Sequence, residues 1–238
     1  MADIARAIDA GYKEIWITGV HLGSYGRDLP GSARLRDLVA RLAAVESNVL
    51  FRISSLEPMD CTAEIVDLVA ASPRIAPHFH LPLQHGSDEM LRAMQRPYTA
   101  REYVTLVTRI RQLMPHASIG SDVIVGFPGE EVRHFEALRA VLVDLPLTYL
   151  HVFPYSDRPG TVASCQPQKV DGVAIRRRGA EIRSIGAAKA AGFRASQSGT
   201  VRRALVVDDG RSAVTDNYLK VGLDEVRPRN SWVDVRIT

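Results

Sequence analysis

The sequence has few cysteines and no long apolar run. Only two of its 238 residues are cysteine, Cys61 and Cys165, and no hydrophobic stretch approaches the roughly 20 residues of a transmembrane helix. Two cysteines exclude a disulfide scaffold and also a metal site built from three or four thiolates of this chain. The N-terminal residues, which include Asp3 and Arg6, do not resemble a secretory leader. We therefore expect a cytoplasmic protein with no membrane partner.

The charges are distributed unevenly along the chain. Residues 1–165 carry 16 Lys and Arg against 19 Asp and Glu, a net of −3, whereas residues 166–238 carry 14 against 8, a net of +6. A basic tail on a mildly acidic body predicts contact with a polyanion. A solvated helix face is the alternative explanation of the same composition.

Residues 1–165 alternate between short β-branched apolar runs and segments of helical spacing. Leu35, Leu38 and Leu42, for example, form one apolar helical stripe. Such alternation builds parallel sheets with right-handed crossovers, and the short repeat is typical of barrel folds. Strands are predicted at Glu14–Val20, Val49–Ser55, His78–Leu83, Ser118–Gly126 and Thr148–Tyr155.

The order of elements divides the sequence into three predicted parts. The first element, Met1–Gly11, is a predicted helix, and a leading helix in a βα series implies a strand before it. Residues 1–165 are therefore predicted to form a partial (β/α)6 barrel that lacks its first strand, within the α/β class. Residues 166–198 are predicted to form a basic helical connector, with glycines that favour kinking or fraying. Residues 199–238 alternate as short strands and predict a small β-barrel-like module.

Polar residues and glycines gather at the predicted strand ends, where parallel α/β folds place their function. Each has a structural alternative; Glu57 and Asp122, for instance, are also suited to helix capping or to pairing with arginine. Likewise, His78, His80 and His151 are either satisfied histidines or ligands of a metal-dependent barrel hydrolase. The positions at these ends are Gly19, His21, Gly23, Ser55, Glu57, Gln84, Ser87, Asp122, Gly126, Phe153 and Tyr155.

Five sequence motifs follow one another along the chain. They are Thr18-Gly-Val-His-Leu-Gly-Ser-Tyr-Gly26, Ser54-Ser-Leu-Glu-Pro58, His80-Leu-Pro-Leu-Gln-His-Gly-Ser87, Met94-Gln-Arg-Pro-Tyr-Thr99 and Asp122-Val-Ile-Val-Gly-Phe-Pro-Gly-Glu130. In this order the sequence resembles the radical S-adenosylmethionine (SAM) tRNA methylthiotransferases, the MiaB-like family. The first motif is most similar to the branch that modifies N6-threonylcarbamoyladenosine, the MtaB-like branch. Thr215-Asp-Asn-Tyr-Leu-Lys-Val221 resembles part of the RNA-binding TRAM domain of that family.

The resemblance implies a transferase that uses SAM and two 4Fe–4S clusters to methylthiolate an adenosine beside the tRNA anticodon. By strand position, it implies that Gly19, His21 and Gly23 face the methionine end of SAM. Ser55, Glu57, Gln84 and Ser87 would make polar contacts, and Asp122, Gly126, Phe153 and Tyr155 would lie at the ribose and adenine end. The RNA contacts that we predict are Arg176, Arg177, Arg178, Arg202, Arg203, Tyr218, Lys220 and Trp232.

The sequence departs from the family pattern at the clusters. The N-terminal cluster domain and the Cys-x3-Cys-x2-Cys ligand segment are absent from these 238 residues, so we predict no metal ligands here. The chain is therefore expected to be inactive alone, and a separate cluster-bearing segment is a candidate partner. A non-catalytic tRNA-binding remnant is the alternative function, and the hydrolase is a weaker one.

Overall fold

The computed structural model describes residues 1–28, 31 and 33–238. The chain divides into two compact units. The first unit contains Met1–His80, Leu113–Ser118 and Phe193–Thr238, and the second contains Leu81–Gln112 and Ile119–Gly192. This division is one of packing, so the functional boundaries at residues 165 and 198 stay predictions. We find no helix among the described residues whose length and hydrophobicity would let it cross a bilayer.

Helices and strands occur close to the predicted positions. The α-helices are α1 (Ala2–Asp9), α2 (Leu35–Ala43), α3 (Ala63–Ala71), α4 (Asp88–Ala93), α5 (Ala100–Leu113), α6 (Val132–Asp144) and α7 (Gly172–Gln197). The strands are β1 (Glu14–Ile17), β2 (Leu50–Ile53), β3 (His78–His80), β4 (Ser118–Val125), β5 (Tyr149–Pro154), β6 (Val201–Val207), β7 (Ser212–Thr215), β8 (Lys220–Gly222) and β9 (Trp232–Arg236). Short 3-10 turns occur at Leu22–Ser24, Pro58–Asp60 and Ala163–Cys165.

Within the first unit, β1 and β2 are parallel, as the βα pattern predicted. Trp16 is paired with Arg52 in the register of these strands. The pairing continues beyond β2, because Ser55 forms a bridge with His80 of β3 and the N–H of Leu56 donates to the His80 carbonyl. β1 ends at Ile17, earlier than predicted, so the glycines at 19 and 23 lie in the loop that follows.

The second unit contains the parallel pair β4–β5. Its register opposes Gly120 to Tyr149 and Asp122 to His151. A Cβ atom at Gly120 would lie 1.9 Å from Cζ of Tyr149, so the tyrosine ring occupies the space that a side chain would take. The apolar stripes of α5 and α6 are buried, including Val107 and Leu138. Their burial is that of the apolar face of an amphipathic helix.

The C-terminal strands form an antiparallel sheet in the order β8-β7-β6-β9. Its small core comprises Phe193, Leu219 and Ile237. A barrel closes only when its first and last strands pair, whereas β8 and β9 are the two edges of this sheet. The predicted barrel-like module is therefore an open sheet, and the prediction of closure was wrong.

Helix α7 runs unbroken from Gly172 to Gln197, although its glycines predicted fraying. Gly186 lies where a Cβ atom would come 3.2 Å from the Cβ of Leu150. The glycine therefore permits close packing within the second unit, and this packing offsets its low helix propensity.

Two glycines provide a matched test of this packing. We expect Gly86→Ala to lower the free energy of unfolding by about 1–3 kcal/mol, because overpacking displaces neighbours and the new Cβ would lie 2.6 Å from the Leu138 Cα. Gly192→Ala, within α7 and with no atom within 4 Å of its Cβ position, should raise it by about 1 kcal/mol. Denaturant unfolding followed by circular dichroism measures both. Equal effects of the two substitutions would contradict the packing at Gly86.

Candidate functional site

The loop after β1 is anchored by hydrogen bonds to the carboxylate of Asp60. His21 Nε2 hydrogen-bonds to Asp60 Oδ2 at 3.1 Å, and Arg27 donates to Oδ1 at 3.4 Å. A Cβ atom at Gly23 would lie 1.9 Å from Oδ2. Glycine is therefore required where this backbone passes the carboxylate. The imidazole of His21, about half exposed, is oriented by an acid that is mostly buried.

The end of β2 presents Ser55 and Glu57 on either side of a buried leucine. Ser55 is exposed and Glu57 half-buried, whereas Leu56 belongs to the core. Glu57 also precedes the 3-10 turn Pro58–Asp60 without capping it through its side chain. Together with Gly19, which is exposed, these residues give the first unit a polar rim at its strand ends.

In the second unit, Asp122 and His151 form a pair across neighbouring strands. Asp122 Oδ1 lies 3.1 Å from His151 Nδ1. Gln84 lies beside them with φ = 65°; its N–H donates to the Asp122 carbonyl, and its own carbonyl accepts from Ile124. The left-handed conformation of Gln84, uncommon for a residue with a side chain, is therefore held by the edge of β4.

Aromatic side chains follow one face of β5. Alternate residues of a strand share a face, and the ring centroids of Tyr149 and His151 are 5.4 Å apart, those of His151 and Phe153 6.5 Å apart. Phe153 is 48% exposed. Beyond the strand, desolvation and then a hydrogen bond to Asp157 raise the pKa of Tyr155. This face offers exposed ring surface next to the Asp122–His151 pair.

A buried ionic network holds the loop after β4. Gly126, at φ = 79°, donates its N–H to Glu130 Oε2 at 2.8 Å. Glu130 also contacts His85 at 3.3 Å and Arg178 at 2.6 Å. Burial acts to raise the pKa of Glu130, but the hydrogen bond and charge of His85, the Gly126 N–H and the Arg178 charge hold it below its usual value.

This network also determines the position of Arg178 and of Ser87. Arg178 is buried, so its guanidinium has no exposed surface for a phosphate, unlike Arg176 and Arg177 in the same run. Ser87 is half-buried and its N–H donates to His85 Nδ1 at 3.0 Å. Both residues therefore support the Gly126–Glu130 loop through their contacts.

Three of the other predicted RNA residues contact groups of the first unit. Arg202 makes two hydrogen bonds of 2.7 Å with Asp216. The guanidinium of Arg203 lies 3.8 Å from the ring centroid of Trp232, and both side chains donate to the carbonyl of Asn48. Trp232 is thus covered on one side by Arg203.

Lys220 and Tyr218 lie nearer to solvent. Lys220 is exposed and pairs with Asp208 at 2.7 Å, an ion pair that raises the pKa of the lysine. Tyr218 is 40% exposed and stacks on His78, with centroids 4.2 Å apart. His78 is buried, and desolvation followed by the nearby Arg52 charge places its pKa well below the usual value.

The two cysteines do not fit an iron–sulfur cluster, which needs about three or four thiolates. Cys61 is buried, and desolvation together with Asp60 raises its pKa to about 12. Cys165 is exposed and belongs to the second unit. The residues of this chain therefore do not fit a 4Fe–4S cluster.

The sequence did not predict Asp60 or Glu130 as parts of the site, and it offered His151 only as a satisfied histidine or as a ligand of the hydrolase alternative. Glu130 lies inside one of the quoted motifs, and His151 alternates with Phe153 on a predicted strand. The sequence therefore contained a signal for Glu130 and for His151, but the role of each residue depends on contacts with residues that are remote along the chain. Asp60 carries no such pattern, because only the loop after β1 brings His21 to it.

Comparison with known proteins places the chain in a family. The model of the radical SAM superfamily matches residues 1–142. The chain is 37% identical over 211 residues to the threonylcarbamoyladenosine tRNA methylthiotransferase MtaB of Aquifex aeolicus, covering 89% of this chain and 51% of that protein. It is 36% identical over 240 residues to the tRNA-2-methylthio-N(6)-dimethylallyladenosine synthase of Syntrophobacter fumaroxidans, covering 99% of this chain and 52% of that protein.

A solved structure supports the fold. The radical SAM enzyme coproporphyrinogen III oxidase from Escherichia coli superimposes with a TM-score of 0.53 at 16% identity, covering 65% of this chain and 37% of the oxidase. The chain spans about half the length of the curated relatives it matches. The match of the superfamily model covers more than half of the chain, and the chain therefore belongs to the radical SAM superfamily.

Proposed function

We propose that this chain is the SAM-binding and tRNA-binding part of a tRNA methylthiotransferase. The observation that carries the proposal is the match to a threonylcarbamoyladenosine tRNA methylthiotransferase over 89% of the chain. The proposed substrate is N6-threonylcarbamoyladenosine beside the anticodon, in agreement with the phrase His21-Leu-Gly-Ser-Tyr-Gly26. Because tRNA is the substrate, the proposal includes a cytoplasmic location.

The strand-end residues predicted from the sequence are proposed to contact SAM, which in this superfamily is the source of a 5′-deoxyadenosyl radical. The polar rim of the first unit, with His21 fixed by Asp60, suits the amino acid end of SAM. The carboxylate of Asp122 suits ribose hydroxyls, and the exposed ring of Phe153 suits an adenine. Glu130 would act as a positioning residue, since it holds the Gly126 backbone in place.

The cluster thiolates are proposed to come from outside this sequence. The superfamily uses SAM together with 4Fe–4S clusters, whereas this chain has one buried and one exposed cysteine. The same observation favours a second function, a tRNA-binding protein without catalysis. The two functions share the RNA surface and differ in whether SAM is bound.

The RNA surface is proposed to lie on the basic C-terminal part of the chain. The segment Thr215–Val221 resembles part of a TRAM domain in sequence, and Arg176, Arg177 and Lys220 are exposed. Arg178 is left out of this surface because it is buried against Glu130.

The SAM site is tested by Asp122→Asn, which removes the charge and keeps the shape. A hydrogen bond to a charged group contributes about 1.5–3 kcal/mol, so we expect SAM affinity to fall at least about tenfold. Because no cluster thiolates anchor the ligand here, binding by the unchanged chain should be in the high micromolar range, on the order of −5 kcal/mol. Isothermal titration calorimetry measures both values.

Asp224→Asn, at an exposed position, is the control and should leave the affinity unchanged. Tight binding that ignores the change at Asp122 would refute the site.

The RNA surface is tested by the double substitution Arg176→Ala and Arg177→Ala. Each phosphate contact contributes about 0.7–0.9 to the slope of log affinity against log salt, so the slope should decrease by about 1.5. Filter binding of tRNA across a salt series measures it.

The control for this experiment carries the same charge change elsewhere. Arg41→Ala with Arg101→Ala removes two exposed arginines from α2 and α5 and should leave the slope unchanged. Arg178 is kept in every variant because its loss would leave Glu130 buried without its cation. An identical slope for the two double variants would remove Arg176 and Arg177 from the RNA surface.

A further inference from the structure

Two half-exposed aromatic rings of the first unit form a corner. Trp16 of β1 is 45% exposed and Tyr218 is 40% exposed. Their ring centroids lie 5.9 Å apart, and the ring planes meet at 68°. Aromatic residues are 6% of this chain, and only two are tryptophan. Because aromatic residues are scarce in this chain, two large rings that meet at the surface of one unit are an uncommon arrangement.

The side chain of Arg52, which is fully buried, contacts both rings of the corner. Its guanidinium lies 5.3 Å from the Trp16 centroid and 5.2 Å from that of Tyr218. It also donates to both carboxylate oxygens of Glu14, at 3.0 and 3.1 Å. The charge of Arg52 is thus balanced, while its planar group fixes the two rings.

Tyr218 is further fixed through its backbone. Its φ angle is 69°, a left-handed conformation that is uncommon for a residue with a side chain. The turn around it is held by Asn217, whose amide donates to the carbonyl of His116 and to Gln197 Oε1. His78 stacks on the ring at an interplanar angle of 24°. Strain of this kind persists only where the surroundings impose it, and it often marks a binding site.

We infer that the Trp16–Tyr218 corner is a stacking site for an unpaired nucleobase. Base–aromatic stacking needs an exposed, rigid ring and no sequence-specific hydrogen bonds. Preorganised rings lose little conformational freedom when a base binds. This inference rests on the proposed function for its RNA partner. It replaces Trp232, which is half-buried with Arg203 closely stacked on it, with Trp16, which is 45% exposed, as the tryptophan that stacks.

The two tryptophans permit a direct test by fluorescence. Trp232→Phe leaves Trp16 as the single tryptophan, and Trp16→Phe leaves Trp232. On titration with a short single-stranded oligoadenylate, we expect quenching in the Trp232→Phe chain and an unchanged signal in the Trp16→Phe chain. Filter binding of the same oligonucleotide confirms that RNA is bound in both.

Affinity provides the second measurement. Trp16→Ala should weaken oligoadenylate binding about tenfold at high salt as well as low, since stacking is not screened by ions. Tyr12→Ala, which removes an exposed tyrosine from the same unit, is the control and should have no effect. If RNA binds without quenching the fluorescence of Trp16, or if Trp16→Ala leaves the affinity unchanged, the proposed stacking site is wrong. The proposed function would not be affected by either result. A complete lack of RNA binding by the unchanged chain would overturn both.

Discussion

The buried guanidinium of Arg52 is the contact on which the first unit depends most. It joins β1 to β2 through Glu14, and it donates to the carbonyls of Thr215 and Asp216 in the C-terminal sheet. A buried arginine is tolerated only when its donors are satisfied, and here a carboxylate and two carbonyls satisfy them. Residues that lie more than 160 positions apart in sequence are thereby fixed in one unit.

Glu130 has the corresponding role in the second unit. It accepts the Gly126 N–H and the Arg178 guanidinium, and the two contacts hold the loop after β4 against α7. Each unit therefore contains a buried carboxylate–arginine pair, Glu14–Arg52 in the first and Glu130–Arg178 in the second. In the second unit this pair fixes the loop that follows β4, and ligand-binding groups need rigid support of this kind.

Local patterns predicted much of the fold. Short strands were predicted within residues 199–238, and the structure has β6 to β9 there, because period-two alternation is a local signal. Barrel closure of the last strands was wrong, since the pairing of edges is not encoded locally. Three consecutive arginines likewise look equivalent in sequence, yet only Arg178 meets a buried carboxylate. The Arg52 cluster was missed for the same reason, because its partners are remote along the chain.

RNA binding is the property on which the proposed function and the proposed Trp16–Tyr218 stacking site both depend. Photo-crosslinking of the intact chain to tRNA, followed by mass spectrometry of the crosslinked peptides, tests it most directly. We predict crosslinks to peptides that contain Trp16 or Tyr218 and to the first turns of α7, which carry Arg176 and Arg177. Crosslinks confined to other peptides, or none beyond those that an unrelated protein of equal net charge gives, would contradict it.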